Sequence, residues 1–437
     1  MSSNSKPNRR KFISSSAAIA AAGSLGSSLV VPKPAFGFHN SVDDELKIGL
    51  VGCGGRGTSA VMNALKADSN SKVTALADAF PDRIGSTLES LTAADEKRIA
   101  VDKDHQFTGP LCHEELCKSD VDVVLLATPP HFRPAQLKAA VDAGKHVFCE
   151  KPVGVDVPGV KSVMKTCEEA AEKGLSVVSG LCWRYDLGVN EMISRIKEGQ
   201  IGDIRSMEVN YYTGTLWHRG DGSVDPDTGV KRKWSPMEYQ LRNWLYFNWL
   251  SGDHIAEQHI HSIDKALWLM GDEPPVSCRG MGGRLVRTEE KYGNVYDHFA
   301  SVFQWKNGVK AFSNCRQMAG CYNETNDHIV GTKGRASILT WEIENEDGLN
   351  NYKMKGKPNM YDVEHEYLFR SIREGKPINN GTYMSYSTLM AIMGRNASYT
   401  GKKITWDELM ADETRLGPTD YSLADYEPLP VAMPGRK

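Results

Sequence analysis

The sequence predicts an α/β chain, with an N-terminal doubly wound parallel sheet followed by an α+β domain on a largely antiparallel open sheet, and three observations carry that prediction. An apolar run, Lys47-Ile48-Gly49-Leu50-Val51, leads straight into Gly52-Cys53-Gly54-Gly55-Arg56-Gly57. From about Leu46 to Leu175, short apolar runs alternate with helical patterns, the rhythm of βαβ units. From Ser176 onward, residues 204–212, 299–305, 309–314 and 335–340 read as strands with period-two alternation, and the helices between them are fewer.

The first segment is of another kind. Asn8-Arg9-Arg10-Lys11-Phe12-Ile13 precedes a mildly apolar Ala/Ser/Gly stretch over residues 14–31, and in Ala35-Phe36-Gly37 the small Ala35 and Gly37 stand at the two positions a signal peptidase reads. Residues 1–37 therefore read as a twin-arginine export signal, too polar and glycine-rich to make a good membrane span. Such a signal engages the twin-arginine export machinery, which carries folded proteins, and it predicts a periplasmic enzyme. The remainder divides into a Rossmann domain over residues 46–175, an α+β domain over 176–410 and an extended, Pro-rich arm over 411–437.

Within the first βαβ unit, Gly52 permits the tight turn, Gly54 lets backbone approach a pyrophosphate, and Gly57 lets the helix pack close to the strand; Gly55 and Arg56 complete the turn. Residues 73–77 form the second strand, and Asp78 at its end is placed to accept hydrogen bonds from a ribose 2′-hydroxyl. A carboxylate there repels a 2′-phosphate, so NAD is favoured, while nearby Arg83 leaves NADP open. Residues 121–127 end at Thr128-Pro129-Pro130-His131, and residues 147–149 end at Glu150-Lys151-Pro152. Ligands of open α/β sheets bind beyond the carboxyl ends of the strands, so Thr128, Pro129, His131, Glu150 and Lys151 are expected at the cofactor crevice.

In the second domain a helix is expected from about Asp253, with His254, Glu257, His261, Asp264 and Trp268 on one face and Ala256, Ile260, Ile263, Leu267 and Met270 forming an apolar stripe. Oxidising a secondary alcohol requires a base, a group that stabilises charge on oxygen, and a nicotinamide within reach of the carbon. Lys151 and His261 supply those side-chain types, and Glu257 can orient the imidazole or bond a second hydroxyl. Arg184, Tyr185, Trp217 and Asp264 are candidate substrate contacts, because aromatic faces beside hydrogen-bonding heads suit a sugar ring. The aromatic stretch over residues 242–249 reads more readily as packing.

Taken together, the fingerprint at Gly52, Gly54 and Gly57, Thr128-Pro129, Ala143-Gly144-Lys145-His146-Val147 leading to Glu150-Lys151-Pro152, the helix with His261 and Asp264, Gly331-Thr332-Lys333-Gly334, and Tyr399-Thr400-Gly401-Lys402 before Trp406 resemble the Gfo/Idh/MocA oxidoreductase family. The resemblance implies an NAD(P)-dependent enzyme acting on sugars or polyols, with Lys151 at the substrate hydroxyl, Glu150 near the cofactor and a cis Lys151-Pro152 bond. Glu257 stands where that family usually has aspartate, and His259 where it usually has glycine.

Composition narrows the partners. A formal net charge of −3 gives no basic signature for nucleic acid, and nine scattered cysteines without a C-x-x-C pair argue against structural disulfides and zinc knuckles. No metal is expected, since the H-E-x-x-H spacing is absent. The leading expectation is thus a periplasmic oxidoreductase with a carbohydrate substrate, assembled as a homo-oligomer; the alternatives are a redox-neutral, NAD-dependent glycosidase and a non-catalytic cofactor-binding sensor. Freely exchanging NAD is not expected outside the inner membrane, so the cofactor is expected to be tightly bound.

Overall fold

The computed structural model describes residues 44–224, 230–352, 356–418 and 426–435. The twin-arginine motif and its cleavage region lie outside the described residues.

Strands β1 (Leu46–Val51), β2 (Ser71–Asp78), β3 (Gln106–Thr108), β4 (Val123–Leu126), β5 (His146–Cys149) and β6 (Val177–Ser179) alternate with helices α1 (Gly55–Ala67), α2 (Pro81–Asp95), α3 (Cys112–Lys118), α4 (Arg133–Asp142) and α5 (Val157–Glu172). All six strands pair in parallel, in the order β3-β2-β1-β4-β5-β6. Helices cover both faces, which is why Ile48, Leu50, Val51 and Val123 to Leu126 are wholly buried and read as continuous apolar runs. The order reverses between β1 and β4, and that switch point opens the crevice where dinucleotides bind in such sheets.

After α6 (Leu187–Lys197) and β7 (Ile204–Thr213), the chain forms a hairpin of β8 (Gly222–Val224) and β9 (Lys231–Lys233), then short helices α7 (Pro236–Arg242), α8 (Asn248–Ser251) and α9 (His254–Glu257), and the longer α10 (Ile260–Leu269). Next come β10 (Ser277–Gly283), β11 (His298–Gln304), β12 (Lys310–Gln317), β13 (Glu324–Gly331), β14 (Gly334–Ser337), β15 (Glu342–Asn345) and β16 (Gly348–Asn351), followed by α11 (Met360–Arg373), α12 (Gly381–Thr400), β17 (Ile404–Thr405) and α13 (Trp406–Met410). A nine-stranded sheet runs β16-β15-β14-β13-β7-β12-β11-β10-β17, and only β7 and β12 pair in parallel. Alternation places Phe299, Ser301 and Phe303 of β11 and Ala311, Ser313, Cys315 and Gln317 of β12 on the face turned inward. Helices α10 and α12 pack on the sheet.

Three expectations change. The parallel sheet extends past residue 175: β6 joins it, and the chain returns after α11 so that Val177 N–H bonds to Ile378 O and Asn380 N–H bonds to Val177 O. The strand expected over 335–340 stops at Ser337, because residues 338–341 form a turn in which Trp341 N–H donates to Ile338 O. The helix expected from Asp253 is broken into α9 and α10. Asp253 adopts φ +70° and its carboxylate accepts from the N–H groups of His254 and Tyr296 and from the Tyr399 hydroxyl. His259 N–H reaches back five residues to His254 O, a π-type widening, while its Nε2 lies 2.7 Å from Ser313 Oγ on β12.

Candidate active site

At the switch point, the glycines have separate physical reasons. Gly52 has φ +101°, and a Cβ there would lie 2.7 Å from the backbone of Ala127 and Thr128. A Cβ on Gly57 would lie 2.0 Å from Gly52 O, so only glycine lets α1 approach β1 this closely. A Cβ on Gly54 or Gly55 would meet nothing within 4 Å; these two border the open crevice. Gly54 caps α1 without a side-chain acceptor and the first turn carries no acid, so the first N–H groups of α1 are presented as an anion cradle. That cradle fits a pyrophosphate.

Asp78, at the end of β2, lines the same cavity. Its Oδ2 accepts from Cys53 N–H at 2.7 Å and its Oδ1 from Phe80 N–H at 2.9 Å, leaving acceptor capacity for hydroxyl donors. Burial pushes its carboxyl upward, against the pull of those two N–H groups and of Arg83. A cavity of about 340 Å³ runs from the glycine turn past Asp78 and Arg83 to Thr128 and Pro129. His131, expected in this crevice, is absent from its lining: the ring packs edge-on against Phe132 and Trp249, and burial lowers its pKa to about 4.

Arg56 joins this cavity to the next group of side chains. Its guanidinium is paired with Glu150 and lies 2.6 Å from Glu364 Oε1. Burial works to raise both carboxyls, but Arg56, Lys151 and Arg133 hold Glu150 below its ordinary range, and Glu364 is left well above it. Arg56 thus bridges one carboxyl held low and one held high. Glu364 was not expected from sequence, although it shares a helix face with Leu368 and Ile372, and an acid on that apolar stripe was the available signal. A Cβ on Gly180 would lie 2.7 Å from Glu150 Oε2, so β6 closes tightly on this carboxylate.

Beyond Glu150 the Lys151-Pro152 peptide is cis, as the resemblance implied. Lys151 Nζ donates to Glu257 O and lies 3.5 Å from Glu257 Oε1. Their side chains are 14% and 18% exposed, so a small molecule can reach both. His261 is buried at the start of α10, and its Nδ1 has no partner among the described residues. Burial, then the positive charge of Lys151, drives its pKa well below the ordinary histidine value, leaving a neutral imidazole. Tyr211 borders the group: burial, then the Glu257 carboxylate, pushes its hydroxyl up to about 12. The arrangement offers a cation for a developing alkoxide, a neutral base and a carboxylate for a second hydroxyl.

The expected substrate contacts sit elsewhere. Arg184 is saturated, with Nε 3.0 Å from both oxygens of Asp264 and Nη2 2.6 Å from Asp272, and it stacks 3.9 Å over the Tyr383 ring. Asp264 is fully buried and also accepts from Ser387 Oγ at 2.7 Å, so it has no face for a sugar. Tyr185 donates its hydroxyl to Asn380 at 2.7 Å and is buried. Spacing along the chain cannot reveal such internal pairing. Trp217 borders the dinucleotide cavity beside Arg219, Trp244 and Trp249.

Two family models match the chain: the oxidoreductase family with an NAD-binding Rossmann fold over residues 46–179, and the GFO/IDH/MocA C-terminal domain over residues 189–337. A 2,7-anhydro-N-acetylneuraminate hydratase of Escherichia coli (strain K12) is 27% identical over 220 residues, which cover 50% of this chain and 51% of that protein, about half of its length. An inositol 2-dehydrogenase of Rhizobium meliloti (strain 1021) is 24% identical over 344 residues, covering 76% of this chain and 90% of the relative. In structure, the chain is similar to scyllo-inositol dehydrogenase from Lactobacillus casei with bound NAD(H) and scyllo-inositol, with a TM-score of 0.61 at 20% identity over 83% of this chain and 99% of that one. At that identity the likeness shows the fold.

Proposed function

The chain belongs to the Gfo/Idh/MocA oxidoreductase family and carries its NAD-binding Rossmann domain, and from that premise we propose that it moves hydride between nicotinamide and a secondary hydroxyl of a sugar or polyol. The observation that carries the reading is the contact of Lys151 with Glu257, one residue beyond the Glu150 that Arg56 ties to the phosphate turn, with buried His261 within the field of Lys151. Bound NAD supplies the hydride acceptor. The Lys151 ammonium donates to the substrate oxygen and stabilises the charge that grows as its proton leaves. His261, kept neutral by burial and by Lys151, accepts that proton. Glu257 positions Lys151 through its carbonyl and carboxylate and takes a neighbouring hydroxyl. The inositol dehydrogenase relative and the scyllo-inositol complex support a polyol or sugar substrate.

The hydratase relative favours a second reading, a cycle without net redox change such as an NAD-dependent glycosidase. Extracting the cofactor from purified protein and screening sugars, polyols and glycosides for nicotinamide absorbance separates them. Net NADH with a free sugar or polyol supports hydride transfer, aglycone release without net NADH supports the second reading, and neither event across the panel refutes both.

The enzyme is further proposed to reach the periplasm folded and loaded with cofactor, on the strength of Arg9 and Arg10. Changing both to lysine should strand the loaded protein in the cytoplasm; unchanged export of that variant refutes the route.

A further inference from the structure

Residues 217–219 and 237–249 form a wall of the dinucleotide cavity that the glycine fingerprint does not supply. Trp217, Arg219, Leu241, Arg242, Trp244 and Trp249 face the turn of β1 and the ends of β2 and β4 across the same 340 Å³ cavity. We propose that this segment is a cap that clasps the adenosine half of NAD and holds the cofactor in place between turnovers. The inference rests on the reading of that cavity as the NAD site.

Two features fasten the cap to the Rossmann domain. Arg242 forks onto Asp82, with Nη1 2.9 Å from Oδ2 and Nη2 2.8 Å from Oδ1, while its Nε lies 2.9 Å from Glu238. Asp82 stands in the first turn of α2, four residues after Asp78, and the same guanidinium lies 4.0 Å over the Phe80 ring. The latch therefore closes next to the ribose site. Below it, Met237, Leu245, Tyr246, Phe247, Trp249 and Leu250 form an apolar core of their own, against which Phe132 of the Rossmann domain packs. Trp249 Nε1 donates to Gln240 Oε1, and Gln240 Nε2 donates to Tyr426 O, so the C-terminal arm backs the cap.

The cavity also contains two guanidinium groups, Arg83 from α2 and Arg219 from the cap, and neither forms an ion pair among the described residues. Arg219 lies 4.5 Å over the Trp217 ring, and its backbone is pinned by Asn243 Oδ1 at 2.8 Å. Planar guanidinium groups stack on flat π-systems and bind phosphate, which suits the adenosine half and its adjoining phosphate. With one such group in each wall, release of the nucleotide requires the cap to lift and the Arg242 fork to open.

The test uses the full enzyme loaded with NAD. Labelled NAD is bound, excess unlabelled NAD is added, and loss of label is followed in the wild type, Asp82→Asn, Arg219→Ala and Lys151→Ala. Asp82 is largely exposed and Arg242 keeps Glu238, so Asp82→Asn preserves the fold. The wild type and Lys151→Ala should retain label through gel filtration, and the other two should release it about tenfold to a hundredfold faster, the range set by one charge-assisted contact. Binding of NAD with equal release rates in all four proteins would overturn the cap while leaving the hydride reading intact. Failure of the wild type to bind NAD at all would overturn that reading itself.

Discussion

Alanine at Gly54 and alanine at Gly57 should separate cofactor binding from folding, although the two residues are three apart in one turn. Gly54 has φ −94° and ψ −179°, which alanine adopts freely, and its added methyl would meet nothing within 4 Å. Losing a glycine from the unfolded chain gains about 0.4–1 kcal/mol, and the weaker capping preference of alanine offsets much of it, so stability should stay within about 1 kcal/mol. The same methyl, however, would stand in the crevice where a pyrophosphate would have to approach the backbone. One lost hydrogen bond to a charged oxygen costs about 1.5–3 kcal/mol, a roughly 10- to 150-fold weaker Kd for NAD. Gly57→Ala behaves oppositely: its Cβ would sit 2.0 Å from a backbone carbonyl oxygen, which no rotamer relieves. Helix α1 must move off β1, at about 3 kcal/mol or more by the scale of overpacked cores. Calorimetric titration with NAD and thermal melting of both variants measure the two effects. Gly54→Ala binding NAD within about twofold of the wild type, or Gly57→Ala melting with it, would refute this account of the turn.

Arg184→Ala should unfold the enzyme more easily rather than raise KM alone, because it strands the buried Asp264 carboxylate; about 3–5 kcal/mol is expected by denaturant titration, and a KM change at unaltered stability would restore Arg184 to the substrate site. Acid should destabilise the fold through its buried imidazoles. Burial lowers His131 and His365 to about 4, so the folded state refuses protons that unfolded histidines take up below about pH 6.5. Stability is therefore lost as pH falls from 6.5 toward 4, by up to about 3 kcal/mol for each, and a flat stability profile across that window contradicts their neutral burial. With His261 held neutral well below its ordinary value, kcat/KM should show no loss of an essential base between neutral pH and about 6.5, and a wild-type inflection near 6.5 that vanishes in His261→Ala would overturn that state.

What the sequence revealed and concealed follows from the range of the forces involved. The turn was legible because close backbone approach at Gly52 and Gly57 admits only one residue type, and β1, β4 and β5 because strands covered on both faces are apolar over nearly their whole length. Lys151, Glu257 and His261 were legible as side-chain types at strand and helix ends, but the break at Gln258 and His259 was not, because no periodicity signals it. Strands β10 and β13 escaped notice because one is interrupted by Gly280, Gly282 and Gly283 and the other opens on Glu324-Thr325-Asn326-Asp327. Arg184 and Asp264 looked like sugar contacts because exposed and internally paired ions are identical in one dimension; they are 80 residues apart and neutralise each other inside the fold. Trp217, a ring beside a cationic neighbour, lines the cavity that holds the glycine turn and Asp78.

The central claim is that Lys151 and His261 together carry the proton and charge changes that accompany hydride transfer. Single-turnover formation of reduced nicotinamide in the NAD-loaded enzyme, with the best sugar or polyol from the screen, measures that step directly. The wild type should turn over, and Lys151→Ala and His261→Ala should each be slower by about 10²- to 10⁴-fold while holding as much NAD and melting as the wild type does. Wild-type rates in both variants, under conditions where the chemical step limits, would contradict the claim.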